Sequence, residues 1–134
     1  MQGRVLIVED NPLIAIDLRD TIFRLGYPIS GIASDFESAR RLAPHSDLAL
    51  VDVNLRDGET GPEIARYLAQ EFDIAVALVT ASPGTLGRGV PGVVGVVLKP
   101  VPTVVVQKLL AFLQCRRNRE EGVPPTSLQL FTPD

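Results

Sequence analysis

The sequence predicts an α/β domain on a doubly wound parallel sheet of five strands, and three observations predict it. Short apolar runs alternate with segments of helical period, the pattern of repeated βα units. Four of the five runs are almost continuously apolar, as strands are when helices cover both faces of a parallel sheet. Each of those four then ends in a charged or hydroxyl group: Glu9 and Asp10 after residues 5–8, Asp52 after 48–51, Thr80 after 74–79, Lys99 after 93–98. Ligands of open parallel sheets gather beyond the carboxyl ends of the strands, so this edge is the candidate site.

The elements follow in order. After the first strand, Asn11 can cap a helix that has Pro12 at its first position, where a missing N–H does no harm. That helix is expected to turn Ile14, Leu18, Ile22 and Leu25 inward and to end at Gly26. Ile29 to Ala33 is mixed in polarity and reads as an edge strand. Ser34 and Glu37 have capping-box spacing ahead of Ala39 and Leu42, and Pro44 stops that helix. Thr60 and Glu63 repeat the spacing before Ile64, Leu68 and Phe72. Residues 82–92 hold four glycines and two prolines, so a fourth helix there should be short, irregular or missing. The last helix starts near Pro102 and puts Val106, Leu109, Leu110 and Leu113 inward, leaving Val104, Val105, Lys108 and Phe112 off that stripe. Its basic end suits the helix dipole. Residues 1–121 are read as the domain and 122–134 as a proline-rich C-terminal tail.

Composition narrows the function. A chain of 134 residues, 46% of them apolar, is about one domain with a single core. A net charge of −3 gives no electrostatic footprint for nucleic acid. The lone Cys115 cannot form an internal disulfide and reads as a small apolar filler. No apolar run approaches the roughly 20 residues that span a bilayer, and the N-terminus enters a strand directly, so a cytoplasmic protein without a membrane partner is expected. His45, between Pro44 and Ser46, reads as an exposed loop histidine.

Taken singly, each site residue has a plain structural reading. Glu9 and Asp10 could be a solvated strand end, Asp52 a turn residue, Thr80 a cap and Lys99 a loop lysine. Their occurrence at successive strand ends carries the inference. If the first and third strands are neighbours, Glu9, Asp10 and Asp52 converge, and carboxylates held together either bind protons or recruit a cation. Oxygen ligands with no histidine or thiolate nearby favour magnesium (Mg2+). A carboxylate beside such an ion suits attack on phosphorus, with Lys99 and Thr80 placed to meet phosphoryl oxygens.

At these residues the chain resembles the receiver domain of two-component response regulators over residues 3–120. The resemblance rests on Val5-Leu6-Ile7-Val8-Glu9-Asp10-Asn11-Pro12-Leu13, Asp52-Val53-Asn54-Leu55-Arg56-Asp57-Gly58, Thr80-Ala81 and Lys99-Pro100. It implies the flavodoxin-like strand order 2-1-3-4-5. It also implies Asp52 as phosphoacceptor, Glu9, Asp10 and Asp52 as magnesium-binding acids with the Asn54 carbonyl, Thr80 as switch hydroxyl and Lys99 as phosphoryl-binding lysine before a cis Pro100. The implied partners are a sensor histidine kinase or phosphotransfer protein and a downstream protein, with no enzymatic role beyond slow self-dephosphorylation. Asp57 to Gly61 and Pro12 to Ala15 look like those of stand-alone bacterial receivers, some paired with atypical histidine kinases.

Two positions depart from the family pattern. Val96 stands where an aromatic usually precedes the lysine by three residues, and the fourth-helix region is depleted. A binding module with an intact pocket and an uncoupled switch is therefore a competing reading. A magnesium-dependent aspartyl phosphohydrolase is a third, disfavoured by Asn54 where such enzymes carry a second acid. The apolar fifth strand, taken as a sheet edge, suggests a homodimer or partner face with the last helix, unless Leu128, Leu130 and Phe131 of the tail fold back over it.

Overall fold

The computed structural model describes residues 2–82, 86 and 89–131. Its elements are β1 (Val5–Val8), α1 (Pro12–Arg24), β2 (Ile29–Ala33), α2 (Phe36–Leu42), β3 (Leu48–Asp52), α3 (Gly61–Phe72), β4 (Ala75–Thr80), β5 (Gly95–Leu98), α4 (Thr103–Arg117) and β6 (Leu128–Leu130). The strands lie in the order β2-β1-β3-β4-β5-β6. The first five are parallel, and the largely apolar β1, β3 and β4 suit a sheet covered on both faces. One apolar layer packs Val5, Ile7 and Leu50 against Ile22 of α1 and Leu109, Leu110 and Leu113 of α4. The opposite layer packs Leu6, Val8 and Leu78 against Ala39 of α2 and Ile64 and Leu68 of α3.

Several expectations are corrected. The sheet has six strands rather than five, because the tail supplies β6, antiparallel to β5. Pairing there satisfies edge backbone groups that would otherwise stand open. Gly95 permits it, since a Cβ at that position would overlap the Gln129 carbonyl oxygen. Phe112, expected off the inward stripe of α4, is only 5% exposed. Gly122 lies close against it, and the Arg116 guanidinium is 5.8 Å from its ring centre.

In α1 the buried residues are Ala15 and Ile22, with Leu18 and Leu25 packed at the layer's margin. Ile14 remains 43% exposed, because it faces an open cleft between α1 and α4 rather than the packed layer. The capping box of α2 is one residue later than Ser34 and Glu37 suggest. Asp35 accepts from the Ser38 backbone N–H at 2.9 Å, and Ser38 Oγ accepts from the Asp35 N–H at 3.2 Å. Glu37 is engaged instead by Arg40. Thr60 precedes α3 without capping it, and its hydroxyl donates to Asp57 Oδ1 at 2.8 Å. The fourth-helix expectation falls on 82–92, of which 83–85 and 87–88 lie outside the described residues. Those described between β4 and β5 form no α-helix.

Candidate functional site

Register alone brings the acids together. In the parallel β1–β3 pair, Val8 sits opposite Val51, so the chain leaves both strands at one level with Glu9 beside Asp52. Asp52 pairs with Val79, and Thr80 with Leu98, which places Thr80 and Lys99 at the next two strand ends. Glu9 and Asp52 are each 6% exposed and Thr80 is 1% exposed, unusual burial for polar side chains at strand ends. Carboxylate oxygens of Glu9, Asp10 and Asp52 lie within 4.8 Å of one another.

Lys99 is the counter-charge. Its Nζ donates to Asp52 Oδ2 at 2.6 Å and to Glu9 Oε1 at 3.2 Å. Burial alone would lower its pKa, but the Asp52 and Glu9 carboxylates outweigh it and hold the ammonium charged above its usual range. Glu9 is pushed the other way: burial first, then the adjacent Asp52 carboxylate, raises it above the usual range, against the opposing pull of the Asn11 N–H and Lys99. The remaining carboxylate oxygens are held by backbone. Asn11 N–H donates to Glu9 Oε2 at 3.1 Å, and Asn54 N–H to Asp52 Oδ1 at 3.1 Å. The Lys99–Pro100 peptide is cis, and Lys99 N–H donates to the Thr80 carbonyl at 2.8 Å. Thr80 Oγ1 accepts from the Ser82 N–H at 3.1 Å, so the side chain is oriented by its own turn.

The structure thus gathers Glu9, Asp10, Asp52 and Lys99, sets Thr80 one strand away, and leaves Asn54 at the rim, its backbone turned to Asp52. Cys115 and His45 belong to α4 and to the helical turn after α2, away from this edge. Sequence reading gave the Asn11 cap but missed two supports of the site. Asn11 does double duty, capping α1 through its side chain while orienting Glu9 through its backbone; its adjacency to two acids was the available signal. Gly61 lets the start of α3 pass against the Asp52 carbonyl, where a Cβ would overlap it. A cleft of about 730 Å³ also opens beside the site between α1 and α4, lined by Leu13, Ile14, Val101 and Val106 together with Asp52 and Lys99.

A parallel sheet with acids beyond β1 and β3 and a lysine beyond β5 defines the receiver class of domain. The response regulator receiver domain family matches residues 5–111, and the chain belongs to that family. The phyllosphere-induced regulator PhyR of Methylorubrum extorquens is 33% identical over 128 residues, covering 90% of this chain and 48% of the relative. The chain therefore spans about half the length of that curated relative. The solution structure of the PhyR receiver domain of Erythrobacter litoralis is similar at 29% identity and a TM-score of 0.72, over 93% of this chain and 96% of that one. The anti-anti-sigma factor PhyR of Bartonella quintana, crystallised in complex with the anti-sigma factor NepR, matches at 31% identity and a TM-score of 0.53, over 57% of this chain and 32% of that one.

Proposed function

We propose that this chain is the phosphoacceptor of a two-component phosphorelay, taking a phosphoryl group from a phosphohistidine donor onto Asp52 and signalling by protein contact. The observation that carries this reading is the Lys99 ammonium held between the buried carboxylates of Asp52 and Glu9 at the C-terminal edge of the sheet. In the transfer, a carboxylate oxygen of Asp52 bonds to phosphorus as the P–N bond to the donor imidazole breaks, the nitrogen keeping the electron pair. Lys99 is placed to follow the charge from carboxylate to phosphoryl oxygen, and Thr80 to donate its hydroxyl to another. The donor is a sensor histidine kinase or a phosphotransfer protein, and no turnover on external substrates is assigned.

Three clustered carboxylates against one ammonium leave an excess of negative charge that fits a hard divalent cation. Glu9, Asp10 and Asp52, with the Asn54 carbonyl, would hold magnesium. It would supply charge neutralisation beside the reacting phosphorus. The output is assigned to a regulatory protein partner, because a relative of this chain is known in complex with an anti-sigma factor. A binding module with an uncoupled switch is the second reading, favoured by the small Val96, buried on β5 beside Gln129 of β6.

The test is labelling by acetyl phosphate with magnesium, monitored by intact mass. Wild type is expected to gain one phosphoryl group and Asp52→Asn none, with an unchanged circular dichroism spectrum. Equal labelling of the two would remove Asp52 from the role.

A further inference from the structure

The tail is held where a movement of the site would be felt. β6 pairs Leu128 with Val97, Gln129 with Val96 and Leu130 with Gly95, and Phe131 N–H extends the ladder to the Val94 carbonyl at 3.0 Å. The first of these pairs is separated from Lys99 only by Leu98, which has no β6 partner and is 51% exposed. Lys99 is in turn fixed by both ends, its ammonium on Asp52 and Glu9 and its N–H on the Thr80 carbonyl. One short strand thus runs from the charged cluster directly into the tail's hydrogen bonds.

The tail is held at a few points, Pro125 and Leu128 buried and Phe131 half-buried. Of the three β6 residues only Leu128 is buried, in the layer under α4, while Gln129 and Leu130 are exposed. Phe131 lies half-buried on the opposite face, against Gly89, and joins the layer that contains Leu86, Val90 and Val96. A Cβ on Gly89 would strike the Phe131 ring, and one on Gly95 would meet only Gln129 and Leu128 as its three nearest atoms. The seat of the strap therefore depends on two glycines, Gly89 and Gly95. β6 is docked while Lys99 is clamped on unmodified carboxylates.

We propose that residues 128–131 form a strap on the β5 edge that undocks when the carboxylate site is loaded with magnesium and a phosphoryl group, so that the tail reports the state of Asp52. This rests on the proposed phosphoacceptor role. Loading draws the Lys99 ammonium off Asp52 toward phosphoryl oxygen, shifts the end of β5, and breaks the Val97–Leu128 pair first. Undocking opens the backbone groups of residues 94–97 along the sheet edge.

Linkage makes the coupling testable from both ends: if loading releases the strap, releasing the strap must tighten loading by the same factor. The experiment measures amide hydrogen exchange of residues 128–131 in the full chain, before and after magnesium with beryllofluoride, and the affinity for beryllofluoride in wild type and Gly95→Val. The substitution sets a side chain against the Gln129 carbonyl and the Leu128 side chain, where the strap docks. A chain ending at Gly122, assayed at a concentration where sedimentation shows it monomeric, serves as the second strap-free form should Gly95→Val fold poorly. Expected are a rise in tail exchange of about 5-fold or more on loading and a matching gain in affinity in the strap-free form. Beryllofluoride bound equally by all forms, with tail exchange unchanged, overturns the strap and leaves the phosphoacceptor reading standing. Weaker binding by the strap-free forms also overturns it, by reversing the sign. No binding by wild type overturns both.

Discussion

Lys99 and Asp52 make the charge balance of the site testable by substitutions of opposite sign. Three carboxylates face one ammonium. Without magnesium, Asp52→Asn removes an excess anion and leaves Lys99 its Glu9 partner, so the melting temperature is expected to rise slightly. Lys99→Ala leaves Glu9 and Asp52 buried without a cation, and is expected to cost about 1–3 kcal/mol, below the range for a fully buried pair because Lys99 is partly exposed. Magnesium should restore part of that loss, and thermal melts with and without the ion measure both effects. The raised Glu9 pKa gives a pH signature. A carboxyl group whose folded pKa lies above its unfolded one adds stability at low pH and loses it as pH rises through the folded value. Metal-free protein should therefore lose stability over that window relative to Glu9→Gln, and Lys99→Ala should lose more. Identical pH profiles for wild type and Glu9→Gln would refute the assignment.

At the scale of elements, the start of α3 sets the position of Asp52. A Cβ on Gly61 would overlap the Asp52 carbonyl and come within 2.7 Å of Val53 Cα, both backbone atoms with no room to give. Gly61→Ala is expected to destabilise by about 3 kcal/mol and to slow phosphoryl uptake, because β3 must shift. Gly58, at φ +111° with open space around it, should cost only about 1 kcal/mol on the same change, through backbone strain alone. Denaturant melts of the two variants compare them directly. These contacts explain what the sequence could and could not disclose. Strand ends were legible because apolar runs stop at charged residues, as at Val8–Glu9 and Val51–Asp52. Helix faces were legible where the helix packs on the sheet layer, as for Ile22 and Leu110, and misread where it faces an open cleft, as for Ile14. Choosing between Ser34 and Asp35 as cap needed the backbone angle, since both residue types serve. The close approach at Gly61 leaves no trace in residue spacing.

For the molecule as a whole, β6 settles how the sheet ends. Leu-Gln-Leu is too short to read as a strand, and its partner is chosen by an open edge far back in the chain. The homodimer face considered for β5 and α4 is thus partly occupied: Leu128 is buried, whereas Val104 and Leu98 remain exposed. Removing residues 123–134 takes away the pairing partner of β5 and the burial of Leu128, worth about 2 kcal/mol by area. It also uncovers apolar surface beside an unpaired strand edge, the combination that templates association. The shortened chain is expected to self-associate more strongly than the full one in sedimentation velocity, with a concentration-dependent shift that the full chain shows weakly or not at all. If both chains sediment as monomers across the same range, phosphorylated or not, β5 and α4 form no self-association surface and the dimer is removed.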